Sequence, residues 1–126
     1  MIEKLFLVAI GGACGAMLRF VSVSTFGRLM GDVAWGTFFV NVVGSLVMGL
    51  SVAILIERFP DSAERFIPLV TIGLLGGFTT FSAFSLDAIR LIEEGRISVA
   101  AAYFLGSVVL SILALTIGLM IGRTLN

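Results

Sequence analysis

The chain contains no histidine, one cysteine, one tryptophan, one tyrosine and two prolines in 126 residues. Without histidine there is no imidazole to act as a base or to ligate a metal. The lone thiol, Cys14, excludes an internal disulfide framework and a cysteine-built zinc cage within one chain. Charge is scarce too: charged residues make up 13%, against roughly 25% in a soluble domain. Eight Lys/Arg stand against eight Asp/Glu, which leaves no basic surplus for nucleic acid. Low charge with an apolar content of 59% excludes disorder, which needs the reverse. It also leaves too little polar surface to cover a small soluble domain. What is present is long apolar sequence with fifteen glycines and eleven phenylalanines, at a mean hydropathy of +1.16. The composition is that of an integral membrane protein.

The charged residues fall in short clusters between long uncharged runs. The runs are Leu5 to Leu18, continuing past Arg19 to Phe26; Val33 to Ile56; Phe66 to Leu86; and Ile97 to Gly122. A helix needs roughly 20 apolar residues to cross a hydrocarbon core about 30 Å thick. Three runs meet this unaided, and the first meets it with Arg19 inside or near the membrane edge. The expectation is an all-α membrane protein, one four-helix transmembrane domain over 1–126 with spans at about 5–26, 33–56, 66–89 and 97–122. The connections, about Gly27 to Asp32, Glu57 to Arg65 and Arg90 to Arg96, are too short to fold as domains. A signal peptide is the bland alternative for the N-terminus, with Cys14 after Gly12-Ala13 hinting at lipoprotein processing. Against it, position 11 is Gly where such a signal favours Leu. Gly11-xxx-Gly15, Gly118-xxx-Gly122 and Ser107-xxx-Ser111 have the spacing that lets helices approach closely, although each is common by chance.

With four spans, Lys4, Arg58, Arg65 and Arg123 share one side of the membrane. Arg28, Arg90 and Arg96 lie opposite, with Arg19 leaning the same way. Positive residues normally mark the cytoplasmic side, and four against three or four fixes no orientation. The simple expectation is that the chain inserts both ways, and the two orientations could then pair as an antiparallel homodimer; the alternative is a single orientation set by another feature. Every Asp and Glu is expected near a span end, which speaks against transport coupled to a buried acid. It speaks equally against a carboxylate-lined cation channel, and no nucleophile–base pair suggests an enzyme. The mid-span polar groups are neutral: Asn41, Ser45, Thr71, Thr79, Thr80, Ser82, Ser107, Ser111 and Thr116. Neutral donors can line an anion path without trapping the anion. A lone Ser or Thr, however, more often bonds back to its own helix or to a neighbour. Asn41 stands apart, because an amide is harder to satisfy within one helix.

The densest signal is Gly73-Leu74-Leu75-Gly76-Gly77-Phe78-Thr79-Thr80-Phe81-Ser82-Ala83-Phe84-Ser85. Glycines and threonines in mid-span weaken a helix, and irregular backbone at membrane depth survives only where it is buried or lines a cavity. A break is expected near Gly76 to Thr80, where freed carbonyls and amides can hold ions. The alternative is a continuous helix with a glycine packing face. Phe78, Phe81 and Phe84 recur every third residue and are expected on one face. Their rings either pack against lipid and helix or present positive edges to an anion.

At this segment the chain resembles the Fluc (CrcB) family of bacterial fluoride channels. The resemblance covers the whole chain: Gly11-Gly12 with Gly15-Ala16-Met17-Leu18-Arg19-Phe20; Trp35-Gly36-Thr37 with Val40-Asn41; Gly76-Gly77-Phe78-Thr79-Thr80-Phe81-Ser82-Ala83-Phe84-Ser85; and Ala101-Ala102-Tyr103 with Ser107 and Ser111. It implies passive, fluoride-selective export through the bacterial cytoplasmic (inner) membrane, conferring fluoride resistance. It further implies a third helix broken near its middle and an antiparallel dual-topology homodimer with two pores. A structural sodium ion (Na+) would sit at the dimer centre, on the backbone carbonyls of Gly76 and Thr79 from both subunits. Phe81, Phe84, Asn41, Tyr103, Ser107 and Ser111 correspond to the fluoride pore, and Arg19 to a vestibule or anchoring arginine. Two positions depart from the family's common pattern: Ala83, where Thr is often found, and Asp87, where Glu is. A small dual-topology multidrug exporter would be expected to carry a membrane-embedded acid, which the first run lacks beyond Glu3. A non-transporting subunit of a membrane complex is the other rival.

Overall fold

Helix α1 spans Ile2–Met30 and α2 spans Val33–Arg58. At about 1.5 Å per residue each runs roughly 40 Å, past a hydrocarbon core of about 30 Å. The connection expected over 27–32 shrinks to a tight turn. Gly31, at φ 82, ends α1 in the left-handed conformation that glycine reaches without a Cβ penalty. Asp32 caps α2, its Oδ1 accepting from the Ala34 N–H at 3.0 Å. These elements come from a computed structural model that describes residues 1–125.

The expected loop at 57–65 is mostly helix as well. Helix α3 (Pro60–Ile67) begins just past Phe59, with Pro60 in its first turn, where a missing N–H is harmless. Pro68 then removes one donor and crowds the carbonyl a turn earlier, and the chain continues as a wider π-wound stretch, Pro68–Leu75. A short helix, α4 (Gly76–Phe78), ends at Thr79 and Thr80, whose backbone is extended at ψ 160 and 120. Helix α5 (Phe81–Glu93) resumes, and after a turn at Gly95 (φ 75) α6 covers Ile97–Thr124. The break expected over 76–80 thus falls at Thr79 and Thr80. With Pro60–Glu93 taken as one interrupted crossing, four helical segments among the described residues are long and apolar enough to span a membrane. The chain is a multi-pass membrane protein.

Glycines set how closely these segments approach. A Cβ on Gly15 would overlap the Leu74 carbonyl oxygen, and one on Gly11 would lie 2.5 Å from the Leu69 oxygen. From the other side, a Cβ on Gly73 or Gly77 would lie 2.9 Å from the Val8 oxygen or 2.8 Å from the Gly12 oxygen. Helix α1 and the third crossing therefore meet backbone to backbone. Helices α2 and α6 do the same where Gly49 faces the Leu115 carbonyl and Gly118 the Leu46 carbonyl. Large apolar side chains such as Phe6, Leu86 and Ile112 stay exposed on the outside, where lipid is the solvent.

Charges pair at the two ends. Lys4 meets Glu64 at 2.7 Å, Arg65 meets Glu3 at 2.6 Å, and Arg123 meets Glu57 at 3.6 Å at one end. At the other, Arg90 and Arg96 both bond Asp32, joining the α1–α2 turn to the α5–α6 turn. Burial pushes the Asp32 carboxyl up, but the Ala34 N–H and the Arg96 and Arg90 guanidinium groups outweigh it and hold the group down at about 2.

Candidate functional site

The break is fastened by a side chain from another helix. Asn41 of α2 donates its Nδ2 to the Thr80 carbonyl at 2.9 Å and accepts the Thr80 N–H on Oδ1 at 2.7 Å. In an unbroken helix the Thr80 N–H would bond the Gly76 carbonyl, and the Ala83 N–H the Thr79 carbonyl. Here the first goes to Asn41, and the second goes to the Thr80 hydroxyl at 3.1 Å. The carbonyls of Gly76 and Thr79 thereby lose their helical partners. Gly44 gives the break its room, since a Cβ there would overlap the Thr79 methyl.

Sequence left Arg19 inside the first span or near its edge; α1 runs on to Met30, so Arg19 lies in the interior of the helix and is half-buried. Its Nη1 donates to the Thr79 carbonyl at 3.3 Å. This bond ties it to the break.

Beside the break lies a cavity of about 300 Å³, and Asn41, Phe81, Phe84, Ser107 and Ser111 all line it. Tyr103, the sixth expected pore residue, does not. It is fully buried behind Phe84, ring centroids 5.4 Å apart, and donates its hydroxyl to Asp87 Oδ2 at 3.3 Å. Asp87 lies one turn before Arg90 of the end cluster, near a span end as expected, and its side chain is buried at 6% exposure. Phe78 also departs from expectation. The break separates it from Phe81 and Phe84, and it packs towards Gly44 instead of sharing their face. Phe81 and Phe84 remain together at 5.5 Å, tilted by 53°, with Phe84 buried and Phe81 77% exposed.

The structure sorts the hydroxyls that sequence left equal. Thr71, Thr79, Ser85 and Thr116 each donate back to the carbonyl four residues earlier. Ser107 and Ser111, one turn apart on α6, do not. Their buried oxygens have no hydrogen-bond partner among the described residues, and both line the cavity. Ser45 and Met48, which follow Asn41 along one α2 stripe, line the same wall. Their helical spacing from Asn41 was the available signal for a role that sequence reading did not assign.

No group of three or more His, Cys, Asp or Glu able to hold a metal occurs among the described residues. A cation at the break would therefore rest on backbone oxygens. The Gly76 and Thr79 carbonyls fit that demand: they are hard donors with no helical partner, suited to an ion that prefers oxygen.

A family model described as CrcB-like protein, Camphor Resistance (CrcB), matches residues 6–119. Among similar proteins, the fluoride-specific ion channel FluC of Chelativorans sp. (strain BNC1) is 51% identical over 122 residues, 96% of this chain and 97% of that one. Proteins of the same description from Agrobacterium fabrum and Rhizobium leguminosarum bv. trifolii are each 48% identical, covering 94% and 99% of this chain and 95% and 99% of their own lengths.

Proposed function

The chain belongs to the CrcB-like family, and from that premise we propose that it is a passive, fluoride-selective channel. It exports cytoplasmic fluoride across the bacterial inner membrane and confers fluoride resistance. The observation that carries the reading is the pair of buried, unpartnered hydroxyls of Ser107 and Ser111 facing the cavity. An unpaired buried hydroxyl is unfavourable unless something accepts from it. A small anion that accepts hydrogen bonds strongly is such a partner.

The remaining contacts follow. Asn41 uses one Nδ2 hydrogen on Thr80, and the second is available to a guest at the cavity wall. The rings of Phe81 and Phe84 add positive edges without a full charge. Tyr103 acts behind Phe84 by fixing its position. Many weak neutral contacts replace hydration and still let the ion leave, and a narrow donor-lined path favours fluoride over chloride. No energy source is needed. Fluoride enters acid-stressed cells as the neutral acid, ionises inside, and leaves down the membrane potential, worth about 2.3 kcal/mol per 100 mV.

The working unit is an antiparallel, dual-topology homodimer with two pores. Two features support it: Phe81 stands 77% exposed beside the cavity, ready for cover by a second copy, and the cationic residues are divided almost evenly between the ends. The Gly76 and Thr79 carbonyls, with the same pair from the second copy, would hold a structural sodium ion, which ties the two breaks together. A proton-coupled drug exporter has one observation in its favour, the buried Asp87. That carboxylate bonds Tyr103 and is absent from the cavity wall, which disfavours a substrate-facing role.

The test is efflux from liposomes loaded with fluoride or chloride. Wild type is expected to release fluoride fast and chloride negligibly. A hydrogen bond to a charged group is worth about 1.5–3 kcal/mol, so Ser107→Ala with Ser111→Ala should slow fluoride about tenfold or more while the dimer stays folded. Phe81→Ile should also abolish fast efflux. Folded wild-type dimers that release no fluoride would sink the reading and leave the non-transporting subunit.

A further inference from the structure

Arg19 has no carboxylate partner among the described residues, and its guanidinium donates to the carbonyl of Thr79. The other charged group inside the bundle, Asp87, faces Tyr103 instead. A guanidinium at membrane depth without a counter-charge is expensive and marks function more often than packing. This one stands at a carbonyl freed by the break, and that oxygen is also one the sodium assignment needs.

We propose that the Arg19 guanidinium and a free alkali cation compete for the Thr79 carbonyl, so that Arg19 is a positioning residue displaced when the cation binds. The proposal rests on the sodium assignment made above. A carbonyl oxygen has two lone pairs, so geometry alone permits both occupants. Charge decides the matter. Like charges within about 4–6 Å disfavour one another strongly enough to move a pKa by one or more units, which is tenfold or more in an equilibrium. The arginine is also the weaker holder, since 3.3 Å is long for an N–H···O bond.

The purified dimer in detergent is titrated with sodium chloride against N-methylglucamine chloride at constant ionic strength. The unfolding temperature reports occupancy, because a ligand that binds only the folded state raises it. In Arg19→Gln the half-maximal sodium concentration should fall about tenfold or more, while Arg19→Lys, which keeps the charge, stays close to wild type. An unchanged or higher sodium requirement in Arg19→Gln overturns the competition. Wild type gives a second readout if that variant does not fold. In protein labelled with ¹⁵N-arginine, the Arg19 guanidinium signal should shift and exchange faster with water as sodium is added, and a sodium-insensitive signal overturns the proposal. If neither melting nor the arginine signal responds to sodium, the sodium assignment fails together with the competition, while fluoride efflux from liposomes decides the channel reading separately.

Discussion

Replacing Asn41 by Leu removes the fastening of the break while nearly conserving volume, so no large packing void confuses the result. Two hydrogen bonds are lost, at 2.7 and 2.9 Å, and two backbone groups of Thr80 are left without their side-chain partner. Each buried polar group left unsatisfied costs about 1–3 kcal/mol, which brackets the change at about 2–6 kcal/mol. Asn41 also lines the cavity, so water can reach part of the site and the low half of the range applies, about 3 kcal/mol. Asn41→Asp should lose at least as much while the carboxyl is ionised, because it keeps the acceptor for the Thr80 N–H but sets a charged acceptor against the Thr80 carbonyl. Reversible unfolding of the three proteins in a denaturing detergent series measures the differences, and liposome efflux run alongside should show Asn41→Leu slowed. A leucine variant within about 0.5 kcal/mol of wild type, the scatter of ordinary surface changes, would refute the claim that this amide shapes the break.

Two further outcomes are expected. Gly15→Ala should destabilise by several kcal/mol or fail to assemble, since its methyl would overlap the Leu74 carbonyl, whereas Gly12→Ala, with nothing within 4 Å of its Cβ, should be near neutral; the same unfolding series separates them. Asp32 ionises at about 2 in the folded chain against 3.8 unperturbed, so its charged form stabilises the fold above pH 3.8 and that contribution is lost as pH falls through about 2. Asp32→Asn should therefore be less stable than wild type near neutral pH by about 1–2 kcal/mol. The gap should close on acidification towards pH 2, and a gap constant with pH would contradict the ion cluster.

The four crossings were legible because a hydrocarbon core tolerates so little charge that the gaps between Lys, Arg, Asp and Glu mark the spans. The break was legible in Gly76-Gly77 and Thr79-Thr80, but its position at Thr79 and Thr80 depends on Asn41, thirty-nine residues away. Where the helices end was less legible. Asp32, Pro60 and Pro68 act on neighbouring turns, so the connection expected over 27–32 shrinks to a turn and the one over 57–65 becomes mostly helix. The hydroxyls were the hardest to read. Nothing in local sequence distinguishes Thr116, which bonds its own helix, from Ser107, which does not. That difference lies in side-chain orientation and in what the facing helix offers.

The glycine seams have a consequence for the membrane around the protein. Where Gly15 meets the Leu74 carbonyl and Gly118 meets the Leu46 carbonyl, backbone lies against backbone, with no side chain between them to change rotamer. Segments joined in this way cannot absorb a change in bilayer thickness by repacking against one another. A thicker or thinner bilayer must be met by tilting the bundle as a whole, or by the lipid deforming at its rim.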